Sequence, residues 1–354
     1  MAWSASSRSE RRDHYQEVTD KIVAALEAGT PPWRRGWDRN DAAAMSGFAS
    51  PCNGITRRQY RGVNRLVLGM DPRVLETGDP RFLSYDQAKE KGWQVRKGEK
   101  STLVYFFKVI EVEKEGVQIA SDDKKTVPFL RAYPVFHASQ IDGIVPWLAA
   151  TPREAPWRTP EAVQIIAVNS GVTIEHHGDR AYYAPLRDKI MMPPQAAFRS
   201  AESYSATLLH ELGHSSAHPD RLSRWGALKN KFGSNMYAME ELRAELGSAY
   251  ACGELSITST LENHASYLAT WIECLKKDSK EIFRVAADAQ KIADWVLERH
   301  PEYARAAAAE RNADANRQLV RESGKGRERG QPEVRLAHVA AASMQLEAEA
   351  ELER

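Results

Sequence analysis

The sequence predicts an α+β protein of two domains, a mixed α/β first domain followed by a mainly helical second one, with a charged helical or disordered tail. Three observations carry this. The chain has 354 residues, well beyond the ~150 typical of one domain. Helical and strand periodicities mix before residue 145, whereas helical ones dominate after 160. Between them Pro146, Pro152, Pro156 and Pro160 stand among polar residues, the composition of a linker. The expected divisions are therefore 12–145, a linker over 146–160, 161–300, and a tail over 301–354.

The elements follow in order. Val18, Ile22, Val23, Ala25 and Leu26 repeat at helical spacing over 14–29 and stop at Gly29 before Pro31 and Pro32. Trp33 to Gly54 reads as an irregular loop, rich in Gly, Pro and Asn, where binding groups tend to sit. A helix is expected after Tyr60 and another after Ser84, its N-cap, with a short linker carrying Phe82 between them. The β-branched and aromatic run Ser101 to Ile110 predicts a strand, paired with Leu130 to Phe136 across the charged loop 121–125. Beyond the linker come a helix over 161–170, short strands at Thr173–Glu175, Arg180–Ala184 and Lys189–Met192, and helices over 203–216 and 236–253. After Pro301 the chain is rich in Ala, Glu and Arg and cannot bury much apolar area, so a mobile tail with some helix is expected.

Composition bounds the function. Hydrophobic residues make up 42% of the chain, with nine Trp, twelve Tyr and nine Phe, enough for two cores. Cys52, Cys252 and Cys274 are odd in number and form no CxxC pair, which excludes a disulfide framework and a thiolate zinc knuckle and fits a reducing, cytoplasmic setting. No apolar stretch reads as a signal peptide or a membrane span, so no membrane partner is expected. The first 100 residues hold 18 Lys and Arg against 13 Asp and Glu, a surplus of five in a chain of net charge +1. That asymmetry fits either an anionic partner or a solvated surface.

The sharpest chemistry lies at His210-Glu211-Leu212-Gly213-His214. Histidines four apart project from one face of a helix and can reach one metal, with Glu211 beside them. Zinc held there would bring the pKa of water to ~7, and Glu211 could take the proton as that water attacks a carbonyl. A catalytic site needs a third protein ligand. The arrangement with a third His six residues on fails, because residue 217 is Ala and 220 is Asp. Asp220 stays open as a ligand. Glu241 is the better candidate, with Glu245 one turn further to receive the outer N–H of a ligating histidine. Without the upstream motif, Glu240, Glu241 and Glu245 would read simply as an acidic face. One Zn2+ is the expected cofactor, another divalent ion being compatible. His176, His177, His218 and His264 lack metal spacing to one another.

The chain also resembles the ArdC-type antirestriction proteins carried by conjugative plasmids and other mobile elements. The resemblance spans roughly 14–295. It runs through Val18–Ile22, Gly29–Trp33, Tyr60–Asn64, Val95–Lys100, Val135–His137, Ile141–Gly143 and Asp188–Ile190, then the His210 motif, His218-Pro219, Arg221-Leu222 and Tyr237–Leu242. It implies a first domain that binds single-stranded DNA, a second that is a zincin-like metallopeptidase, and a role in shielding incoming DNA from restriction enzymes. The residues of the first half are compatible, since single strands are held by cations for phosphates and aromatic faces for bases. Trp33, Arg34, Arg35, Trp37, Tyr60, Arg61, Asn64, Trp93, Arg96, Lys97 and Lys100 are the candidates, although most of the aromatics could equally be core. Two other readings stay open: a DNA-binding protein with a structural or vestigial metal site, and an intracellular metallopeptidase acting on nucleoprotein; besides single-stranded DNA, restriction enzymes or other DNA-bound proteins are compatible partners.

Overall fold

The computed structural model describes residues 12–29, 31–34, 50–112, 125–147, 159–228, 234–257 and 265–313. The chain divides into two compact units, Met1–His300 and Pro301–Arg354. Arg35, Trp37, His264, most of the Pro-bearing linker, the charged loop 121–124 and the tail past 313 lie outside the described residues.

Asp13 starts α1 (His14–Glu27) by accepting hydrogen bonds from the backbone N–H of Tyr15 and Gln16 at 3.0 and 3.2 Å. Val18, Ile22, Val23 and Leu26 are its buried face. After β1 (Cys52–Asn53) come α2 (Val63–Gly69), α3 (Pro72–Thr77) and β2 (Arg81–Leu83). The short linker expected around Phe82 is thus a helix and a strand: Asp71 caps α3 and Pro72 opens it, a pairing suited to a first helical turn. Next, α4 (Tyr85–Glu90) begins at Ser84, which forms a reciprocal capping box with Gln87.

Strand β3 (Gln94–Val95) pairs with β6 (Ile141–Asp142), while β4 (Thr102–Val112) and β5 (Lys125–His137) form a long antiparallel hairpin. The main sheet runs β1-β2-β5-β4. Successive residues of β2 face opposite ways, so Phe82 joins Leu68, Val74, Val104 and Val135 on one side, and Leu83 joins Ala88, Val95 and Ile141 on the other. Burying Phe82 completely contributes roughly 1.5–3 kcal/mol.

The second region opens with α5 (Thr159–Asn169), followed by β7 (Thr173–His176), β8 (Tyr182–Ala184) and β9 (Lys189–Met192). Their sheet runs β7-β9-β8, which leaves β8 as an edge antiparallel to β9. Helices α6 (Ala201–Ser215), α7 (Trp225–Leu228), α8 (Asn235–Glu254), α9 (Ala265–Lys277) and α10 (Glu281–Leu297) complete it, with α8 packed against α6, α9 and α10. Gly247 allows the α8–α10 approach, because a Cβ there would meet Ile292 Cγ2 at 2.6 Å. Residues 301–313, in the second unit, are helical.

The first and second regions pack as one body, α1 against α9 and α2 against α10. Arg65 on α2 pairs with Glu254 on α8 at 3.0 Å, donates to the Tyr250 carbonyl at 3.1 Å, and lies 4.7 Å from the Tyr250 ring centre. Glu254 also accepts from Ser50 Oγ at 2.9 Å and Gln59 Nε2 at 2.8 Å. Tyr15 and Tyr105 set their rings edge-on to Phe283 at 4.8 and 5.8 Å. No helix among the described residues is long and apolar enough to cross a membrane.

Candidate functional site

Ser200 caps α6, and Leu208, Leu209 and Leu212 anchor the helix in the core. Anchoring those residues turns His210 and His214 toward α8. Their Nε2 atoms stand 3.1 Å apart, with the rings nearly perpendicular. Glu241 of α8 approaches from the other side: one carboxylate oxygen lies 3.5 Å from His214 Nε2 and the other 3.7 Å from His210 Nε2. The three residues offer ligand atoms all within 4.8 Å of one another, and all three are buried. Two imidazoles and a carboxylate converging on one point fit a small divalent cation.

One turn further along α8, Glu245 lies 3.8 Å from Nδ1 of His210. It is positioned to hold that ring by its second nitrogen. Glu240, on the flank of the same helix, pairs instead with Arg224 at 3.0 Å. The three neighbouring glutamates are therefore not one solvated acidic face. Asp220 is 88% exposed in its side chain and contacts His218 at 3.6 Å, away from this cluster.

Electrostatics follow from burial. Desolvation alone would raise the Glu241 carboxyl, but the neighbouring His214 and His210 pull it well below the usual range. Burial would lower His214, yet Glu241 holds it up at about 9. Glu211 is buried beside the cluster; burial raises its carboxyl, and the His210 and His214 charges only partly offset this. The backbone amide of Tyr183, on the edge strand β8, also opposes that rise. A raised carboxyl beside two imidazoles is suited to exchanging a proton.

Tyr237 belongs to the site and escaped the sequence analysis. It stands one turn before Glu241 on α8; burial and the Glu241 charge raise its phenol. The signal was its i, i+4 spacing to the candidate ligand. The Tyr267 ring centre lies 6.2 Å from that of Tyr237, and burial first, then Glu241, pushes its phenol up to about 12.

The candidate DNA-binding residues are scattered. Trp33 is 7% exposed and packs edge-on to Trp271, because α1 and the turn after it dock on the helical region. Asn64 is buried as well: its side chain donates to the Tyr105 carbonyl and accepts from the Tyr105 N–H, both at 2.7 Å. Tyr60 leans on the Leu68 cluster, and Arg61 pairs with Asp294 of α10. Trp93 packs on the Leu83 cluster. Arg34 lies in the 3-10 turn Pro32–Arg34. Lys97 and Lys100 are exposed, and Arg96 and Lys97 line an open groove of about 530 Å³ with Tyr85 and Phe136. There Arg96 is already paired with Glu99 at 2.8 Å and Asp142 at 3.4 Å.

Comparison with known proteins matches both regions. Residues 12–136 match the N-terminal domain of anti-restriction factor ArdC, and residues 161–288 a zincin-like metallopeptidase domain. The chain is 39% identical over 301 residues to a DNA primase TraC of Escherichia coli, covering 81% of this chain and 27% of that one. It therefore spans about a quarter of that relative's length. An uncharacterized protein, y4eC of Sinorhizobium fredii (strain NBRC 101917 / NGR234), is 38% identical over 293 residues, covering 80% of this chain and 91% of that one. Among solved structures, the metal-free antirestriction ArdC protein from plasmid R388 aligns with a TM-score of 0.67 and 37% identity, covering 82% of this chain and 99% of that one. The Mn(II)-bound form of the same protein aligns at 0.64 and 36%, covering 82% and 98%. With an ArdC-type first region, a zincin-like second region and a solved ArdC matched along almost its whole length, this chain belongs to the ArdC antirestriction family.

Proposed function

We propose that this protein binds single-stranded DNA through residues 12–145 and carries a zinc-dependent, peptidase-like site in residues 161–300. In the cytoplasm it would shield incoming mobile-element DNA from host restriction. The observation that carries the hydrolytic half is the convergence of His210, His214 and Glu241 beside a buried Glu211. His210, His214 and Glu241 would hold the ion. When bound, it supplies Lewis acidity, polarising a carbonyl and acidifying water. Glu211 would take the proton, and Glu245 would steady His210. Restriction enzymes or other DNA-bound proteins are the substrates this reading points to.

Glu211→Gln tests it. The substitution keeps size and hydrogen bonding but removes the base, so zinc content and oligonucleotide affinity should persist while protection of transferred DNA is lost. A second reading, a structural metal site in a DNA-binding protein, is favoured by the burial of the three ligands at 5–6% exposure. It predicts that Glu211→Gln protects DNA as well as the parent.

A further inference from the structure

We infer that the main single-stranded DNA contact is the outward face of the β4–β5 hairpin, built on Phe106, Tyr133 and Arg131; this rests on the DNA-binding reading above. The hairpin's register sets Val104 opposite Tyr133 and Phe106 opposite Arg131, so the three residues adjoin on one face. At the base that face is covered, Val104 and Val135 being buried against Leu68 and Val74. Farther out it emerges. Phe106 is 51% and Tyr133 39% exposed, their ring centres 5.4 Å apart and edge-to-face. The Arg131 guanidinium lies 5.2 Å from the Tyr133 ring centre.

Two large rings held in water on a rigid strand pair forgo the burial that normally stabilises them. The neighbouring Phe107 is 53% exposed too, but it lies on the opposite face, where its ring reaches Phe283 at 5.9 Å and Tyr15 at 6.3 Å. Charge selects the occupant. Among the described residues no carboxylate pairs with Arg131, whereas Arg96 in the 530 Å³ groove is paired with both Glu99 and Asp142. Aromatic faces beside a guanidinium that no carboxylate pairs with among the described residues match a chain that alternates bases and phosphates. An apolar protein surface would leave that guanidinium desolvated without a partner.

The test uses the full chain and a labelled, unstructured oligothymidylate in fluorescence anisotropy at low salt. The parent should bind, and Phe106→Ala with Tyr133→Ala should weaken binding about tenfold or more. Arg131→Gln should weaken it and reduce the salt slope by about one. Ultraviolet cross-linking of a halogenated oligonucleotide should map to the hairpin. Phe106→Tyr with Tyr133→Phe should restore affinity, which a mere loss of folding would not allow. If the parent binds and the double alanine variant binds equally, with cross-links elsewhere, the hairpin assignment is overturned while the DNA-binding reading stands. If the parent does not bind at low salt, both are overturned. Should the parent sediment as a dimer that the double variant dissociates without change in DNA affinity, the face serves self-association and the assignment is again overturned.

Discussion

Glu254→Ala removes the carboxylate on which the two regions meet. Arg65 has a side chain 10% exposed and would lose its 3.0 Å ion pair while keeping the Tyr250 carbonyl at 3.1 Å. Ser50 and Gln59 would lose their acceptor too. Breaking a buried pair from one side costs about 3–5 kcal/mol, because the remaining charge is desolvated without compensation. The surviving bond to Tyr250 and the 16% exposure of Glu254 place the expected loss near the lower end, about 3 kcal/mol. Replacing both partners, Arg65→Met with Glu254→Leu, removes the stranded charge and should return stability to within about 1 kcal/mol of the parent. Urea unfolding followed by tryptophan fluorescence and by far-ultraviolet circular dichroism measures this. The parent should unfold in one transition by both probes, and the single variant in one transition at lower urea. A loss below about 1 kcal/mol, or two transitions of which one stays fixed, would refute the argument that the pair holds the regions as one body.

Three further outcomes are expected. Glu241→Ala should reduce metal affinity by more than the ~10–100-fold typical of losing an outer partner such as Glu245, while Asp220→Ala changes nothing, as read by metal analysis and chelator competition. Tyr237→Phe, which removes the phenol hydroxyl one turn from Glu241, should weaken metal retention about tenfold with little change in melting; unchanged retention would count against a positioning role. The last concerns pH. Asp188 is opposed by burial, yet its bonds to Arg221 at 2.7 and 2.8 Å and to Tyr183 hold its carboxyl below the ordinary value. A depressed carboxyl stabilises the fold above its unfolded pKa of ~3.9 and loses that contribution as pH falls through the lower folded value. Asp188 is 36% exposed and its pairing is screened by solvent, so Asp188→Asn should cost no more than about 1 kcal/mol at pH 7, and the gap from the parent should close in acid. A gap constant from pH 7 to 3 would contradict this.

How much was legible in the sequence depended on how local the physics is. His210, Glu211 and His214 are ordered by one helix, and Glu241 with Glu245 by another, so spacing alone named them. The capping residues Asp13 and Ser84 act within three residues and are equally readable. Phe82 was harder. Its strand has three residues, and its burial is decided by β5, more than fifty positions away. Trp33 and Asn64 carry the chemistry of a nucleic-acid surface, but Trp33 is turned in by Trp271 of α9, far along the chain, and Asn64 by the backbone of Tyr105 on β4. Phe106 and Tyr133 lie in a run where inward and outward residues are both aromatic, so alternation gives no contrast to read.

The helix α8 acts as a ruler. Glu241 and Glu254 stand on one uninterrupted helix, ~20 Å apart at 1.5 Å per residue. Inserting or deleting a single residue between them would swing one end by about 100° relative to the other. Either Glu241 or the seat of Arg65 could then stay in place, but not both. A chimera that exchanges the first region for another family member's would have to bring matching partners for Glu254, at positions 50, 59 and 65, or lose its grip on the helix that carries Glu241. For this architecture the natural cut points for recombination lie outside the pair of regions, not between them.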